Sequence, residues 1–172
     1  MADPVIETAN GLIPSAFTRY FESPRAVTLW TALVIDAGAD VCLISQSGRL
    51  LWCPEWPHWW PKHGSTREHI GKHLTELQPR GLAEEMIGFV TRAIDSGRPV
   101  VVRTAWQGVR TQTVYRAVPA LDGGEHAAMV ICRGLRPLDL ERHPIHADSE
   151  FADSKHLDHG PLAELTPREL HV

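Results

Sequence analysis

The fold class depends above all on one stretch of the chain, residues 82–102, which reads LAEEMIGFVTRAIDSGRPVVV. Its apolar residues recur at helical spacing and predict the clearest amphipathic helix of the chain, from Leu82 to Ile94. Gly97 supplies a helix stop, and Pro99 prevents the helix from continuing. The β-branched run that begins at Val100 then predicts a strand. The stretch therefore joins a surface helix directly to a sheet.

The residues before this stretch predict a helix followed by a hairpin. Ser23 and Pro24 form a helix start, and we expect that helix to end near Ala37–Gly38. Strands are predicted at 40–45 and 49–53, because a Gln-Ser-Gly turn separates two apolar runs. Further on, Ser65 and Glu68 form a capping-box pattern, which predicts a short helix through about Ile70.

The residues after the long helix predict three consecutive strands. They are 100–106, 109–118 and 127–132, separated by Gln107-Gly108 and by a Leu-Asp-Gly-Gly turn at 121–124. Hairpins with helices between them predict an antiparallel sheet in an α+β domain. We expect the chain to be polar and irregular after Gly134, as a linker is.

Length and composition narrow the class of protein. The chain has 172 residues, enough for one domain with a real hydrophobic core. Its net charge of -4 gives no electrostatic footprint for nucleic acid. Three cysteines without a C-x-x-C pair do not predict a disulfide framework, so we expect a cytoplasmic protein. The sequence predicts neither a signal peptide nor a membrane span.

Four short motifs in this order resemble the PAS domain, over about residues 25–135. The motifs are IDAGAD (35–40), SGRLL (47–51), IGKHLTEL (70–77) and AIDSGRP (93–99). The resemblance implies a PAS fold: a five-stranded antiparallel sheet with helices on one face and an N-terminal flanking helix. It also implies a sensory protein that binds a small molecule or dimerises, and not an enzyme.

The end of the chain carries a second resemblance. The hexapeptide LTPREL (165–170) is similar to the opening of a LuxR-type helix-turn-helix domain. Thr166 is a good N-cap, Pro167 suits the first helical position, and Glu169 completes a capping box. Only three residues follow Glu169, too few for a stable helix, so we expect this domain to be truncated. The resemblance implies that DNA is bound only through the missing C-terminal domain.

The chain is therefore divided into four parts. We predict an N-terminal segment (1–22), a PAS sensory domain (23–135), a polar linker (136–164) and the start of a truncated helix-turn-helix domain (165–172). The stretch 52–63, rich in Trp, Pro and His, is expected to be either a contact surface or a loop packed on the sheet.

Ligand and cofactor candidates follow from the PAS resemblance. The pocket would lie between the sheet and the long helix, and its candidate lining residues are Met86, Ile87, Val90, Trp106 and Trp52. Simple core packing is the alternative for each. Haem is a candidate cofactor, and the residues that could ligate its iron are His69, His73 and Cys53. No metal site is predicted, since Cys53, His58 and His63 do not have a zinc spacing.

Partner candidates are a second copy of the chain and a small molecule. The dimer contact would be an apolar stripe on the first helix, formed by Leu29, Trp30 and Leu33, unless that helix packs on its own sheet. Two other functions are considered: a ligand-free dimerisation module and a small α+β isomerase-like enzyme. For the enzyme, the nearby acids are Asp36, Asp40, Glu84 and Glu85, and no nucleophile–base pair accompanies them.

Overall fold

The computed structural model describes residues 5–8, 11–14, 19–23, 25–26, 29, 32–33, 36–53, 66–106, 109–134 and 148–156. Within these residues the strands are β1 (Val5–Thr8), β2 (Gly11–Pro14), β3 (Asp40–Ser45), β4 (Leu50–Trp52), β5 (Val100–Trp106), β6 (Val109–Val118), β7 (Ala127–Gly134) and β8 (Glu150–Asp153). The bounds of β3, β5 and β6 are those that the sequence predicts. Strand β4 is shorter by a residue at each end, and β7 runs two residues further.

The long helix α2 (Arg80–Ser96) confirms the central prediction and extends it by two residues at each end. Gly97 follows it with a φ of 65°, in the left-handed region that glycine adopts without strain. A one-turn helix α1 (Leu74–Leu77) precedes it, and a 3-10 helix (Thr66–His69) lies before α1. The Ser65 half of the predicted capping box lies outside the described residues.

The described residues between 25 and 36 are helical, as the sequence predicts. The backbone N–H of Ala26 donates to the Ser23 hydroxyl at 3.2 Å, so serine caps this helix. The helix gives way to a turn at Ala37–Gly38, where Gly38 has a φ of 68°.

Six strands form the main sheet, in the order β4-β3-β7-β6-β5-β8. The first five pair antiparallel, as predicted, but β8 pairs parallel to β5. The prediction of a five-stranded, wholly antiparallel sheet is therefore wrong by one strand. That strand comes from residues 150–153, in the stretch for which the sequence predicts a polar linker. A second, two-stranded sheet forms from β1 and β2, where the sequence shows no pattern.

Both faces of the sheet are partly covered. On one face, α1 and α2 pack against the strands and bury a core that includes Leu74, Val90 and Val130. On the opposite face a smaller cluster includes Tyr20, Leu43 and Trp52. The Tyr20 hydroxyl donates to the carbonyl of Glu125 at 2.8 Å, which ties this cluster to the turn between β6 and β7.

Candidate ligand cavity

A cavity lies between α2, the sheet and the segment that contains β8. It has about 40 Å³ of free space, room for roughly three water molecules. Its walls are apolar for the most part, with a few hydroxyls and one carboxylate. The lining residues are Leu82, Glu85, Met86, Phe89, Val102, Thr104, Thr111, Thr113, Tyr115, Ser154 and His156.

The sheet wall of the cavity follows from strand alternation. Residues 111, 113 and 115 of β6 lie on one face because side chains alternate along a strand. Thr111 and Thr113 pair with Thr104 and Val102 of β5. Both β6 threonines and Tyr115 are buried, so their hydroxyls lie in the interior. The wall thus combines aliphatic contact with hydrogen-bonding groups.

Aromatic contact links the sheet wall to α2. The rings of Phe89 and Tyr115 lie with centroids 5.4 Å apart and planes tilted by 49°. Burial raises the pKa of Tyr115 well above its ordinary value, with the nearby Cys42, Cys132 and Glu85 adding to the effect. The phenol therefore stays protonated and can donate a hydrogen bond.

A neighbouring thiol is also held in its neutral form. Burial raises the pKa of Cys132 to about 12, although hydrogen bonds with Thr113 and Thr111 oppose the shift. Cys132 is the cross-strand partner of Thr113 in the β6–β7 pair, so its side chain lies on the same face of the sheet as Thr113. Cys42, Cys53 and Cys132 are all buried, and none of the three forms a disulfide.

Glu85 on α2 connects the helix to the segment that carries β8. The Ser154 hydroxyl donates to Glu85 Oε2 at 2.6 Å, and the Lys155 backbone N–H donates to Oε1 at 2.7 Å. Each carboxylate oxygen thus accepts a charge-assisted hydrogen bond, the stronger kind. Of the acids considered for an enzyme, Glu85 lines the cavity, where both of its carboxylate oxygens accept hydrogen bonds from these two donors.

His156 closes the end of the cavity near the start of α2. Its carbonyl accepts a hydrogen bond from the Thr104 hydroxyl at 3.2 Å, and its backbone N–H donates to the Ser154 hydroxyl oxygen at 3.1 Å. Its ring lies against Gly81: a β-carbon built there would be 2.9 Å from His156 Cε1. The absence of a side chain at Gly81 therefore makes room for the imidazole.

The start of the same segment is anchored by charges and by backbone. The Arg92 guanidinium forms an ion pair with Glu150. Arg98 Nε donates to the carbonyl of Asp148 at 2.7 Å, and the Glu150 N–H donates to the carbonyl of Pro99 at 2.8 Å. Residues 148–156 thus span from the end of α2 back to its beginning.

The predicted pocket residues fall in different places. Met86 lines the cavity, whereas Val90 is fully buried in the main core and Ile87 is half-buried beside Gly48. Trp52 lies in the cluster on the opposite face of the sheet. The side chain of Trp106 lies outside the described residues, as does most of the stretch 52–63.

The three haem-ligand candidates are not among the residues that line the cavity. His73 is the N-cap of α1: its Nδ1 accepts from the Thr75 N–H at 3.3 Å, and its own N–H donates to Glu76 Oε1 at 2.9 Å. His69 is buried, with Nδ1 at 3.2 Å from Lys72 Nζ. Cys53 belongs to the main core. The free space of about 40 Å³ is far below the ~300–1,000 Å³ of typical cofactor pockets.

The predicted dimer contact lies on the N-terminal helical residues. Leu29 is 64% exposed and Leu33 is 60% exposed, so both leave apolar surface in solvent. The side chain of Trp30 lies outside the described residues. Within the described ranges, no helix is both long and apolar enough to cross a membrane. The same part of the chain holds no group of three or more His, Cys, Asp or Glu side chains able to bind a metal ion.

Neither a protein-family model nor a curated protein matches this chain. Solved structures do resemble it. The PAS domain of Bordetella pertussis BvgS is 15% identical with a TM-score of 0.51, covering 69% of this chain and 93% of that one. A sensory box sensor histidine kinase from Vibrio cholerae is 11% identical with a TM-score of 0.50, covering 65% of this chain and 94% of that one.

A third similar structure is the Vibrio cholerae VqmA dimer, described as a LuxR-type receptor. It is 13% identical with a TM-score of 0.51, and the match covers 67% of this chain and 52% of VqmA. At these identities the likeness concerns the fold alone. The chain therefore has a PAS fold, with β8 as an addition to its sheet.

Proposed function

We propose that this chain is the sensory PAS domain of a LuxR-type transcription regulator and that its signal is a small molecule bound in the cavity. The observation that carries the proposal is the cavity itself, which lies between α2, the sheet and residues 148–156 in a PAS fold. The enzyme alternative lacks a comparable observation, because Glu85 is engaged with Ser154 and Lys155.

The ligand that fits a free space of about 40 Å³ is a molecule of only a few non-hydrogen atoms, with an apolar part and a hydrogen-bonding group. Leu82, Met86, Phe89 and Val102 offer aliphatic and aromatic contact. The hydroxyls of the β6 wall can both donate and accept hydrogen bonds, and Tyr115 keeps its proton because its pKa is raised. We propose that these hydroxyls orient the ligand while the apolar walls provide most of the affinity.

The output of the sensor would be carried by a helix-turn-helix domain. The hexapeptide 165–170 supports a LuxR-type helix-turn-helix domain, and the PAS fold shared with the LuxR-type receptor VqmA is in agreement. We propose that DNA is bound through that domain. The net charge of -4 supports the expectation that residues 1–172 alone do not bind DNA specifically.

A ligand-free dimerisation module is the second candidate. It is favoured by the small size of the cavity and by the exposed apolar side chains of Leu29 and Leu33. In this case the PAS domain would transmit a signal through rearrangement of a homodimer, and the cavity would be a packing defect.

A thermal-shift screen of small molecules separates the two candidates. A ligand specific to the folded state raises the melting temperature in proportion to RT ln(1 + [L]/Kd). Hits are retested on Thr111→Leu, which adds bulk inside the cavity, and on Val114→Leu, which adds bulk to the opposite face of β6. We expect the shift to vanish in Thr111→Leu and to persist in Val114→Leu.

The dimer candidate has its own measurement. Sedimentation velocity of the wild type and of Leu29→Asp would show whether the exposed helical residues hold two copies together. A stable dimer that Leu29→Asp dissociates, in a chain for which no compound gives a Thr111-dependent shift, would favour the dimerisation module over the sensor.

A further inference from the structure

We infer that residues 148–156 act as a releasable strap over the cavity and that the Glu85 carboxylate is the latch that holds the strap closed. The inference rests on the proposed function in one respect, since it takes the cavity to be the sensory site. It adds a way for that site to open, and a way for ligand binding to be transmitted to the residues that follow His156.

The strap is held by polar contacts more than by apolar burial. Its one large apolar side chain, Phe151, is 49% exposed and lies under Arg103 at 5.9 Å. Ala152 packs against the main core, and Ser154 is the buried polar residue of the strap. A strand that buries this little apolar surface gains little from the hydrophobic effect, and therefore opens at low cost compared with the central strands.

The latch consists of a single carboxylate, that of Glu85. Two consecutive strap residues, Ser154 and Lys155, donate to the two oxygens of Glu85. Loss of this single side chain would remove both hydrogen bonds that join the end of the strap to α2. Two other contacts hold that end of the strap. The His156 carbonyl accepts a neutral hydrogen bond from Thr104, and the His156 ring packs on Gly81.

Opening of the strap would change the cavity directly. Ser154 and His156 are part of the lining, so their departure opens one wall. Glu85 would then be free to accept a hydrogen bond from an incoming ligand, which competes with Ser154 and Lys155 for the same oxygens. A hydroxyl or amino group on an apolar body has the chemistry to do so. Because the strap leads into residues 157–172, its release would change the position of the chain that precedes any output domain.

Hydrogen exchange measured by mass spectrometry tests the strap without any ligand. In the closed state, the amides of residues 150–155 should exchange faster than those of β7, which is paired with a strand on each side. Glu85→Gln keeps the shape of the side chain but weakens two charge-assisted hydrogen bonds, so we expect exchange in the strap to rise about tenfold or more. Glu84→Gln is the matched control, because Glu84 faces Arg80 at 2.7 Å and does not contact the strap. We expect Glu84→Gln to change strap exchange less than about twofold.

Ser154→Ala provides the second variant, from the strap side of the latch, and should also accelerate strap exchange while leaving β7 protected. Two results would overturn the inference: unchanged strap exchange in both variants, or equal acceleration of the strap and β7, which would make β8 part of one cooperative sheet. Since no ligand is present, failure here removes the strap but leaves the ligand cavity. Conversely, a failed ligand screen leaves the exchange result intact.

Discussion

The imidazole of His156 lies against Gly81, so closely that a β-carbon at Gly81 would come within 2.9 Å of Cε1 and 3.3 Å of Nε2. Gly81 is in the first turn of α2, and 75 residues of chain separate it from His156. Glycine inside a helix is normally unfavourable relative to alanine. The contact with His156 explains why glycine suits this position, since a side chain here would clash with the imidazole ring.

Substitution of Gly81 by alanine measures that contact. Gly88 is the matched control, since it lies in the same helix with nothing within 4 Å of its would-be β-carbon. We expect Gly88→Ala to raise the free energy of unfolding by roughly 1 kcal/mol, as helix propensity dictates. Gly81→Ala should gain clearly less in urea denaturation, because the methyl group displaces the ring.

Gly81→Ala and Gly88→Ala, each combined with His156→Ala, complete a double-mutant cycle. Without the ring, Gly81→Ala should recover the gain that it lacks in the wild type. Equal gains for both glycines in the wild type would contradict the proposed packing of His156 on α2.

The sequence predicts well the strands whose own residues show how they are buried. Such strands alternate apolar and polar residues, or contain a run of β-branched residues. Strands β5 and β6 match the predicted bounds because their residues carry this pattern locally. Strand β8 has the sequence EFAD, with Phe151 exposed, so it has no pattern of its own and pairs because β5 offers an open edge. Strands β1 and β2 are equally short, and within the described part of the chain they pair with each other.

The cavity could be predicted only in part, for a related reason. Met86 lies on the apolar stripe of α2, and for that reason the sequence suggests it as a lining residue. Alternation in β6 could also have shown that Thr111, Thr113 and Tyr115 share a face. Glu85 reads from sequence as one more residue on the polar side of the helix, since its partner Ser154 lies 69 residues away. Contacts of such separation leave no signal in periodicity.

Gly48 should be far less tolerant of substitution than another left-handed glycine. It has a φ of 82°, and a β-carbon there would lie 2.5 Å from Ile87 Cδ1 and 3.0 Å from His73 Nε2. Gly123 has a φ of 71° and nothing within 4 Å. We expect Gly123→Ala to lower the free energy of unfolding by roughly 1–2 kcal/mol through backbone strain alone, and Gly48→Ala to lower it further through the clash. Equal losses in urea denaturation would show that Ile87 moves aside freely.

His73 is expected to act as a helix cap. His73→Ala removes the acceptor for the Thr75 N–H and should destabilise the protein by roughly 1 kcal/mol, whereas His73→Asp supplies another capping oxygen and should restore most of that loss. Urea denaturation of both variants measures the difference. If His73→Ala is as stable as the wild type, the hydrogen bond at Nδ1 contributes nothing to stability.

Haem titration tests the cofactor candidates independently. His69, His73 and Cys53 do not line the cavity, and its free space of about 40 Å³ is too small for a porphyrin. We expect added haem to give no sharp Soret band that shifts on reduction. A sharp band that disappears in His69→Ala, but persists in His126→Ala at an exposed histidine of the β6–β7 turn, would contradict this expectation and reveal a haem site.

Buried neutral groups make the fold sensitive to alkaline pH. Burial raises the pKa of Cys132 from 9.0 to about 12, so the thiol ionises in the unfolded chain before it ionises in the folded one. The stabilisation from this group is complete below about pH 9 and is lost as the pH rises towards 12. In that window the free energy of unfolding should fall by about 1.4 kcal/mol per pH unit for this group. Cys42 and Tyr115, whose pKa values are also raised, act in the same direction.

Cys132→Ser removes one titrating group and keeps a partner for Thr113. We therefore expect the variant and the wild type to show parallel stability between pH 6 and pH 8, and the variant to lose stability more slowly between pH 9 and pH 12. Urea denaturation at several pH values gives both slopes. Identical slopes above pH 9 would mean that the Cys132 thiol is reached by solvent in the folded state, through the side of the sheet that faces the cavity.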